Sequence, residues 1–565
     1  MNIDSAKSVA GKYLAVSAAF ITLLIATTTS DPVNVPKMVA LVISAFGLFS
    51  VILVSEFKNS IKAQRNLAIA LALFIAAAVW AVANSPSPFN QNFYGTYGRN
   101  TGFLTYLALA MLCFVSATLA SRLFAELILK ALIFAGAVNL IYCLWVILFG
   151  DFIPWNNPYG NILGTFGNPN FIGSFLGILV TVLVALVLDP KTSTKLRLAG
   201  VVAILIALFE VQASKAVQGV VLSAGGSALV GFYYLRSRLK GNLVLSTYLL
   251  GVMTFGLFAV LGALQKGPLA EIVYKTSVSL RGEYWQAALK MAELRPFTGV
   301  GMDSYGDWYR RARDEQAMIL PGPTVVSNAA HNVPLDLLAY GGWPLFGAFI
   351  FIFSLSVIAI IRITLREKEF NWVTVGLIGA WTCYQVQSLI SINQVGLAIW
   401  GWITMGALIG YEKATRTNSE VSSSERISKK SVKRVESNIL SPQLVFGIGG
   451  LIGLFIALPA YTADTTYKSA VSAGQLPALE KALTPSYLRP SNTYALGSSV
   501  ELLINSQLND LAYKYAKAGV EFNPQAHDAW RMLYYTPTVS PEDKALAKAK
   551  LIELDPLNEE WKNLP

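Results

Sequence analysis

Charge is scarce in this chain. Only 14% of its 565 residues are Asp, Glu, Lys or Arg, while 54% are apolar. That balance excludes an ordinary soluble domain and a disordered chain alike. Cysteine is scarcer still, and Cys113, Cys143 and Cys383 all lie within apolar runs. A disulfide framework or a cysteine-based metal site is therefore excluded. There are two histidines, His331 and His527. No Walker loop, H-E-x-x-H pair or carboxylate-rich metal motif occurs, and Gly299-Val300-Gly301 is a turn too sparse to be a nucleotide fingerprint. A nucleotide-driven pump and a magnesium-dependent nucleotide-sugar enzyme are disfavoured.

What the sequence has in abundance is long apolar runs, with a mean hydropathy of +0.50. They lie near 13–29, 38–55, 67–84, 102–120, 127–149, 170–188, 197–212, 218–235 and 243–264, then near 333–361, 372–391, 394–411 and 443–462. Each approaches the ~20 residues that a helix needs to cross a hydrocarbon core, with 197–212 and 394–411 the short ones. The expected fold is all-α, a polytopic helical membrane protein of about thirteen spans. Every second loop is basic, as with Lys58, Lys62 and Arg65, or Arg236, Arg238 and Lys240. Because positive loops stay in the cytoplasm, the N-terminus is expected inside, and the loop 265–332 and everything after 463 outside. The formal charge of +11 is thus topological, with the basic linker lying against membrane lipid, and nucleic acid is not an expected partner. The N-terminus has a basic start and an apolar run without a small-residue cleavage site, which suits an uncleaved first helix.

The domain organisation follows: spans within 1–264, a long external loop at 265–332, spans within 333–411, a basic linker at 412–440, a last span at 441–463 and an external tail at 465–565. In the tail, Pro490, Pro524 and Pro556 recur at spacings of 34 and 32 residues, close to the period of tetratricopeptide repeats. So short an array is expected to dock on the bundle or on a partner protein. His527 is expected to be a surface or packing residue.

Candidate chemistry gathers in the external segments. The loop 85–101 carries Arg99 at the entry to a span. The loop 150–170 is rich in amides and aromatics and ends at Asn168-Pro169-Asn170, groups that suit sugars but also an interfacial belt with turns. Lys215 occupies a short turn after Glu210, where its anion is a substrate phosphate, Glu210 or lipid headgroups. Arg281 begins an amphipathic segment with Trp285, Ala288, Leu289 and Ala292 on one face. Arginine at a helix start opposes the macrodipole, and its planar fork suits phosphate. Asn332 is a plausible cap for a helix beginning Val333-Pro334, and a helix N-terminus keeps the adjoining His331 neutral and able to accept a proton. Arg310, Arg311 and Arg313 are either a solvated face or a grip on headgroups or an acidic glycan.

Taken in order, Tyr97-Gly98-Arg99-Asn100-Thr101-Gly102, Gly164 through Asn170, Arg281 with Trp285, Pro296 through Gly301, and Ala330-His331-Asn332 leading to Tyr340-Gly341-Gly342 resemble the O-antigen ligase and polymerase superfamily of bacterial membrane glycosyltransferases. Relatives commonly carry an external repeat tail. The resemblance implies a GT-C-like helical bundle in the bacterial cytoplasmic membrane, working without cofactor or metal. It implies transfer of a glycan from an undecaprenyl-diphosphate donor to an acceptor hydroxyl on the outer face. By position, Arg281 would bind the diphosphate and His331 would accept or orient the acceptor's proton. Lys215 stands where ligases usually place an arginine, keeping the charge without the fork. Arg99, Asn168, Asn170 and Asn332 complete the implied substrate-binding set. A glycan chain, a lipid and a protein hydroxyl all fit as acceptor, the last making a protein O-oligosaccharyltransferase. The rival from another class is a transporter or flippase of lipid-linked glycans, which would gather polar groups at the bilayer midplane.

Overall fold

The computed structural model describes residues 3–239, 242–263, 265–268, 270–273, 280–421 and 440–565. Within them, regular structure is helical apart from an isolated antiparallel bridge between Ser486 and Arg489. Before the long loop run the helices Ile3–Leu23, Asn34–Ser55, Arg65–Ala83, Phe103–Leu119, Arg122–Phe149, Pro169–Leu188, Thr194–Ala213, Val217–Arg238 and Asn242–Ala263. After it come Val333–Arg366, Trp372–Ser388, Val395–Val421 and Pro442–Ala473. Each apolar run of the sequence lies on one of these.

By length and composition, 9 helices among the described residues can cross a membrane. The runs 197–212 and 394–411 are not short after all. Their helices, Thr194–Ala213 and Val395–Val421, extend past the apolar residues, because backbone hydrogen bonding continues where the side-chain pattern stops. Val395–Val421 thereby enters the stretch expected to be linker, where buried Glu412 pairs with Arg366 at 3.6 Å; 422–439 lies outside the described residues. Outward faces such as Phe134, Ile141 and Leu148, or Leu243, Leu250 and Met253, are exposed and apolar, as lipid-facing helix surfaces are.

One helix is broken. Gly341 and Gly342 depart from helical geometry inside Val333–Arg366, with Gly342 at φ +64° and ψ −163°. The segment after Arg281–Leu294 fills the break. Val300 N–H donates to the Ala339 carbonyl at 2.8 Å, Gly301 N–H to the Tyr340 carbonyl at 3.0 Å, and Trp343 N–H to the Pro296 carbonyl at 2.8 Å. Gly299 sits at φ +62°, and a Cβ there would lie 2.3 Å from the Tyr340 backbone. Only glycine fits that approach.

The tail forms its own helical layer. Thr493–Asn505 pairs with Asn509–Phe522, and His527–Tyr535 with Pro541–Leu554, around a core that includes Leu503, Ala512, Trp530 and Leu551. His527 packs there, its ring 5.0 Å from that of Trp561. The tail docks on the long loop through the loop's arginines, so these neither face solvent nor wait for headgroups or glycan. Arg313 reaches Asp555 at 2.6 Å with both side chains fully buried, and Arg310 reaches the same carboxylate at 3.2 Å. Arg311 donates to Gln525 at 2.8 Å and lies 3.9 Å over the Trp308 ring. Asp555→Ala leaves Arg313 buried without its anion, at a cost of about 3–5 kcal/mol. The tail should then become protease-sensitive and the melting temperature fall; an undocked tail with unchanged melting, or no change in either, would contradict this role.

Candidate active site at the loop-proximal end of the bundle

The side chains that matter are placed by three loops. Asn332 starts Val333–Arg366, its Oδ1 accepting from Leu335 N–H at 3.1 Å. Its Nδ2 donates to the Leu389 carbonyl at 3.0 Å, so both ends of this amide are spent on backbone. Four residues on, Asp336 accepts the Ala330 N–H at 2.7 Å. Between those two anchors the chain must turn sharply, and His331 takes φ +54°. Such a conformation is uncommon outside glycine and persists where its surroundings fix it.

His331 Nδ1 lies 3.3 Å from the Ala329 carbonyl. A carbonyl can only accept, so Nδ1 carries the proton and Nε2 keeps its lone pair. Tyr284 packs on the ring, with centroids 5.5 Å apart. Burial, then the charge of Arg99, push the imidazole down to about 4, with Arg281 adding to the effect and the Ala329 bond opposing it. Neutrality of His331 therefore has a different main cause from the helix terminus read from sequence.

Arg281 opens the helix Arg281–Leu294 without a side-chain cap on Leu280. The buried stripe of that helix is Arg281, Ala287, Ala288, Met291 and Ala292. Leu289 points outward at 46% exposure, which corrects the face read from periodicity. The stripe packs on Val333–Arg366, so small alanines permit the close approach that brings Arg281 to His331. Arg281 is only 7% exposed, yet its Nε and Nη1 have no hydrogen-bond partner among the described residues. Burial lowers its pKa, but a guanidinium stays charged. Two buried, charge-bearing donors without acceptors mark a place built for an anion.

Arg99 supplies the second cation. Its loop is tied down by Asp303, whose Oδ2 accepts from Thr96 N–H at 2.7 Å and Thr101 N–H at 3.2 Å while Oδ1 accepts from Tyr340 at 3.2 Å. Burial raises the Asp303 pKa, with Arg99 and these hydrogen bonds opposing. Arg99 also acts electrostatically on Asp336. Arg99, Arg281 and His331 thus come together, around two carboxylates, Asp303 and Asp336, that motif reasoning passed over. The available signal was their rarity: few acids stand beside glycine-rich or capping positions in so uncharged a chain.

The other expected residues form a second group. Asn168 caps Pro169–Leu188 by accepting from Asn170 N–H at 2.9 Å, and its Nδ2 donates to Tyr159 at 3.1 Å. Asn170 has an exposed side chain and gives its carbonyl to Ser174. Lys215 is exposed at φ +54° in the turn that packs on this helix start, where Gly173 approaches Ser214 and Ala216 closely. Both carboxylate oxygens of Glu210 are buried without a hydrogen-bond partner among the described residues.

Fold and site define a polytopic helical membrane protein with cationic, histidine-bearing chemistry where its loops meet the bundle. A family model described as O-antigen ligase matches residues 213–350, a stretch that contains Lys215, Arg281, His331 and Asn332. No curated protein matches the chain.

Arg281→Gln should raise the His331 pKa from about 4 part of the way towards the ordinary ~6.5, because one of the repelling cations is gone while burial remains. Histidine-selective NMR titration reads this directly. A downward or absent shift would mean that the two side chains are not neighbours.

Proposed function

We propose that this chain is a membrane glycosyltransferase of the O-antigen ligase or polymerase kind. It takes a glycan from an undecaprenyl-diphosphate carrier to an acceptor hydroxyl on the outer face of a bacterial cytoplasmic membrane. The observation that carries this reading is a buried guanidinium with two donors unpartnered among the described residues, beside an imidazole protonated on Nδ1 so that Nε2 keeps its lone pair. The family match over 213–350 supports it.

The chemistry asks for those two groups. The acceptor oxygen attacks the anomeric carbon of the donor, the bond from that carbon to the diphosphate oxygen breaks, and the electron pair leaves with the lipid diphosphate. Arg281 and Arg99 stabilise the charge that develops on the leaving oxygens, in surroundings where fixed cations act strongly. His331 Nε2 accepts the proton of the hydroxyl and later returns it to water.

A base whose pKa is about 4 is weak, and the site corrects this on loading. Diphosphate bound beside Arg99 and Arg281 cancels part of the positive field on His331, so its proton affinity rises when it is needed. Protonated His331 is inactive, and activity falls as pH drops through its pKa. The acid limb of kcat, which reports the loaded enzyme, should therefore lie at higher pH than that of kcat/KM, which reports the free enzyme. Coincident limbs in a pH–rate series would argue against the coupling.

His331→Ala should keep the fold and lose about 10²- to 10⁴-fold in transfer. Arg281→Lys keeps a charge but loses the fork and should also be impaired. Purified protein, undecaprenyl-diphosphate-linked glycan and acceptor suffice for the measurement, and normal turnover in His331→Ala would sink the assignment. Products that are longer lipid-linked chains identify a polymerase, and conjugates to lipid or protein a ligase.

A further inference from the structure

Between the tail and the bundle lies a cavity of about 430 Å³, within the range of roughly 300–1,000 Å³ usual for ligand sites. It is not lined by His331 or Arg281, but the same loops build both. Thr96 and Asn100, which bracket Arg99 closely, line it, and so does Asn328, three residues before His331. Gly306 lines it beside Tyr305. The tail contributes the opposite wall, including Asn492, Tyr494 and Gly497.

The lining has a consistent chemistry. Asn90, Asn100 and Asn328 bring amides, which both donate and accept, as sugar hydroxyls do, while the lining amides Gln91 and Asn492 are engaged with Asp307 and Asn523 and with a helix start. Tyr94 and the stacked pair Tyr97–Tyr494, with ring centroids 3.8 Å apart, bring aromatic surface for the C–H faces of sugar rings. Two lining side chains are incompletely satisfied. Asn100 Oδ1 and His527 Nε2, each on a residue 5% exposed, have no hydrogen-bond partner among the described residues.

Charge separates this cavity from the cationic site. Asp307, Asp464, Glu501 and Asp528 line it against one guanidinium, Arg310, and Arg310 is already held by Asp555 at 3.2 Å and Asp528 at 3.9 Å. A phosphate or a uronic acid would meet excess negative charge there.

We propose that this cavity is a saccharide-binding site for non-anionic sugars, built jointly by the tail and the two loops, so that the glycan is gripped there while its diphosphate or its acceptor hydroxyl lies at Arg281 and His331. The proposal rests on the transferase reading for its substrate class. It gives the tail a direct part in recognition, since without the docked tail the cavity has one wall.

The test uses the full chain in lipid nanodiscs and saturation-transfer NMR with maltotriose, mannotriose, chitotriose, the glucosamine trimer and trigalacturonate. At least one non-anionic trimer should bind and trigalacturonate should not. Gly497→Phe adds a ring where a Cβ meets no atom within 4 Å, and should weaken binding by about tenfold or more. Asn328→Ala removes an exposed amide and should weaken it without disturbing the docked tail, which limited proteolysis checks. Absence of binding by every non-anionic trimer, binding unchanged in both variants, or equal binding of trigalacturonate overturns the site.

The same variants in the transfer assay identify whose sugars are held. A raised KM for the acceptor assigns the cavity to the acceptor chain, and a raised KM for the donor to the donor chain. Unchanged KM for both overturns the proposal. Because binding needs no turnover, saccharide binding without any transfer would sink the transferase reading alone. Normal transfer with no saccharide binding would sink this site alone.

Discussion

The constraint on which the rest depends is the set of backbone groups freed by the break in Val333–Arg366. Pro344 has no N–H to give the Tyr340 carbonyl, and the turn at Gly341–Gly342 takes the Trp343 N–H away from Ala339. Inside a membrane protein such groups cannot be left to solvent. The loop supplies the missing partners from Val300 and Gly301 and takes the Trp343 N–H with the Pro296 carbonyl. Gly299 and Gly342 are glycines because the two backbones meet there with no room for a Cβ. Once that exchange is made, the helix carrying Arg281 ends on the same structural point at which the half-helix carrying Asn332 and Asp336 also ends, so that the two starts, with Arg281 and His331, are set by the same junction. The distance between Arg281 and His331 is therefore held by backbone hydrogen bonds, which side-chain fluctuation does not easily disturb.

The cations of the loops fall into two populations with opposite energetics. Arg310 and Arg313 are buried against Asp555 and hold carbonyls such as that of Pro323. They act as internal adhesive, and their burial is tolerable because their anion Asp555 is in place, with Arg313 Nε alone of their donors buried without a hydrogen-bond partner among the described residues. Arg281 is equally buried but keeps two donors unmatched among the described residues, a local instability that a bound anion would relieve. Asp303 and Asp336 temper this. They lie within electrostatic reach of Arg99, yet their oxygens are mostly engaged by Thr96, Thr101, Tyr340 and Ala330. The carboxylates fix the loops without filling the place of a substrate anion.

Much of the bundle was legible because the signals were local and redundant: apolar runs of spanning length fix helices wherever they occur, and every such run lies on one. His331, Arg281 and Arg99 were legible as unusual polar residues beside glycine, proline and capping positions. What was not legible depended on contacts distant in sequence. Periodicity put Leu289 on the buried face, but the close packing that orients this helix favours the smaller Ala287 and Ala288. Nothing near Arg310 or Arg313 announces that their anion is Asp555, more than 240 positions away. Asn168 reads as a sugar-binding amide or part of a turn, whereas its side chain serves a helix start; the cap at Asn332, by contrast, is read from the proline that follows and is present.

The tail belongs to this same network. Asp307, in the loop helix Tyr305–Ala312, accepts from Ser87 at 2.7 Å and Gln91 at 2.9 Å in one loop and from Asn523 at 3.2 Å in the tail. One carboxylate thus ties three separated segments, and two of them carry or flank site residues: Gln91 lies in the loop of Arg99, and Tyr305, two residues from Asp307, donates to the Tyr284 carbonyl beside His331. Loops rich in glycine, such as 95–102 and 299–306, have high conformational entropy to lose, and a bundle alone holds only one side of them. A docked helical layer, anchored by the fully buried Arg313–Asp555 pair, holds the other side. On this argument the tail is part of what makes the site rigid, and positioning chemistry depends on that rigidity.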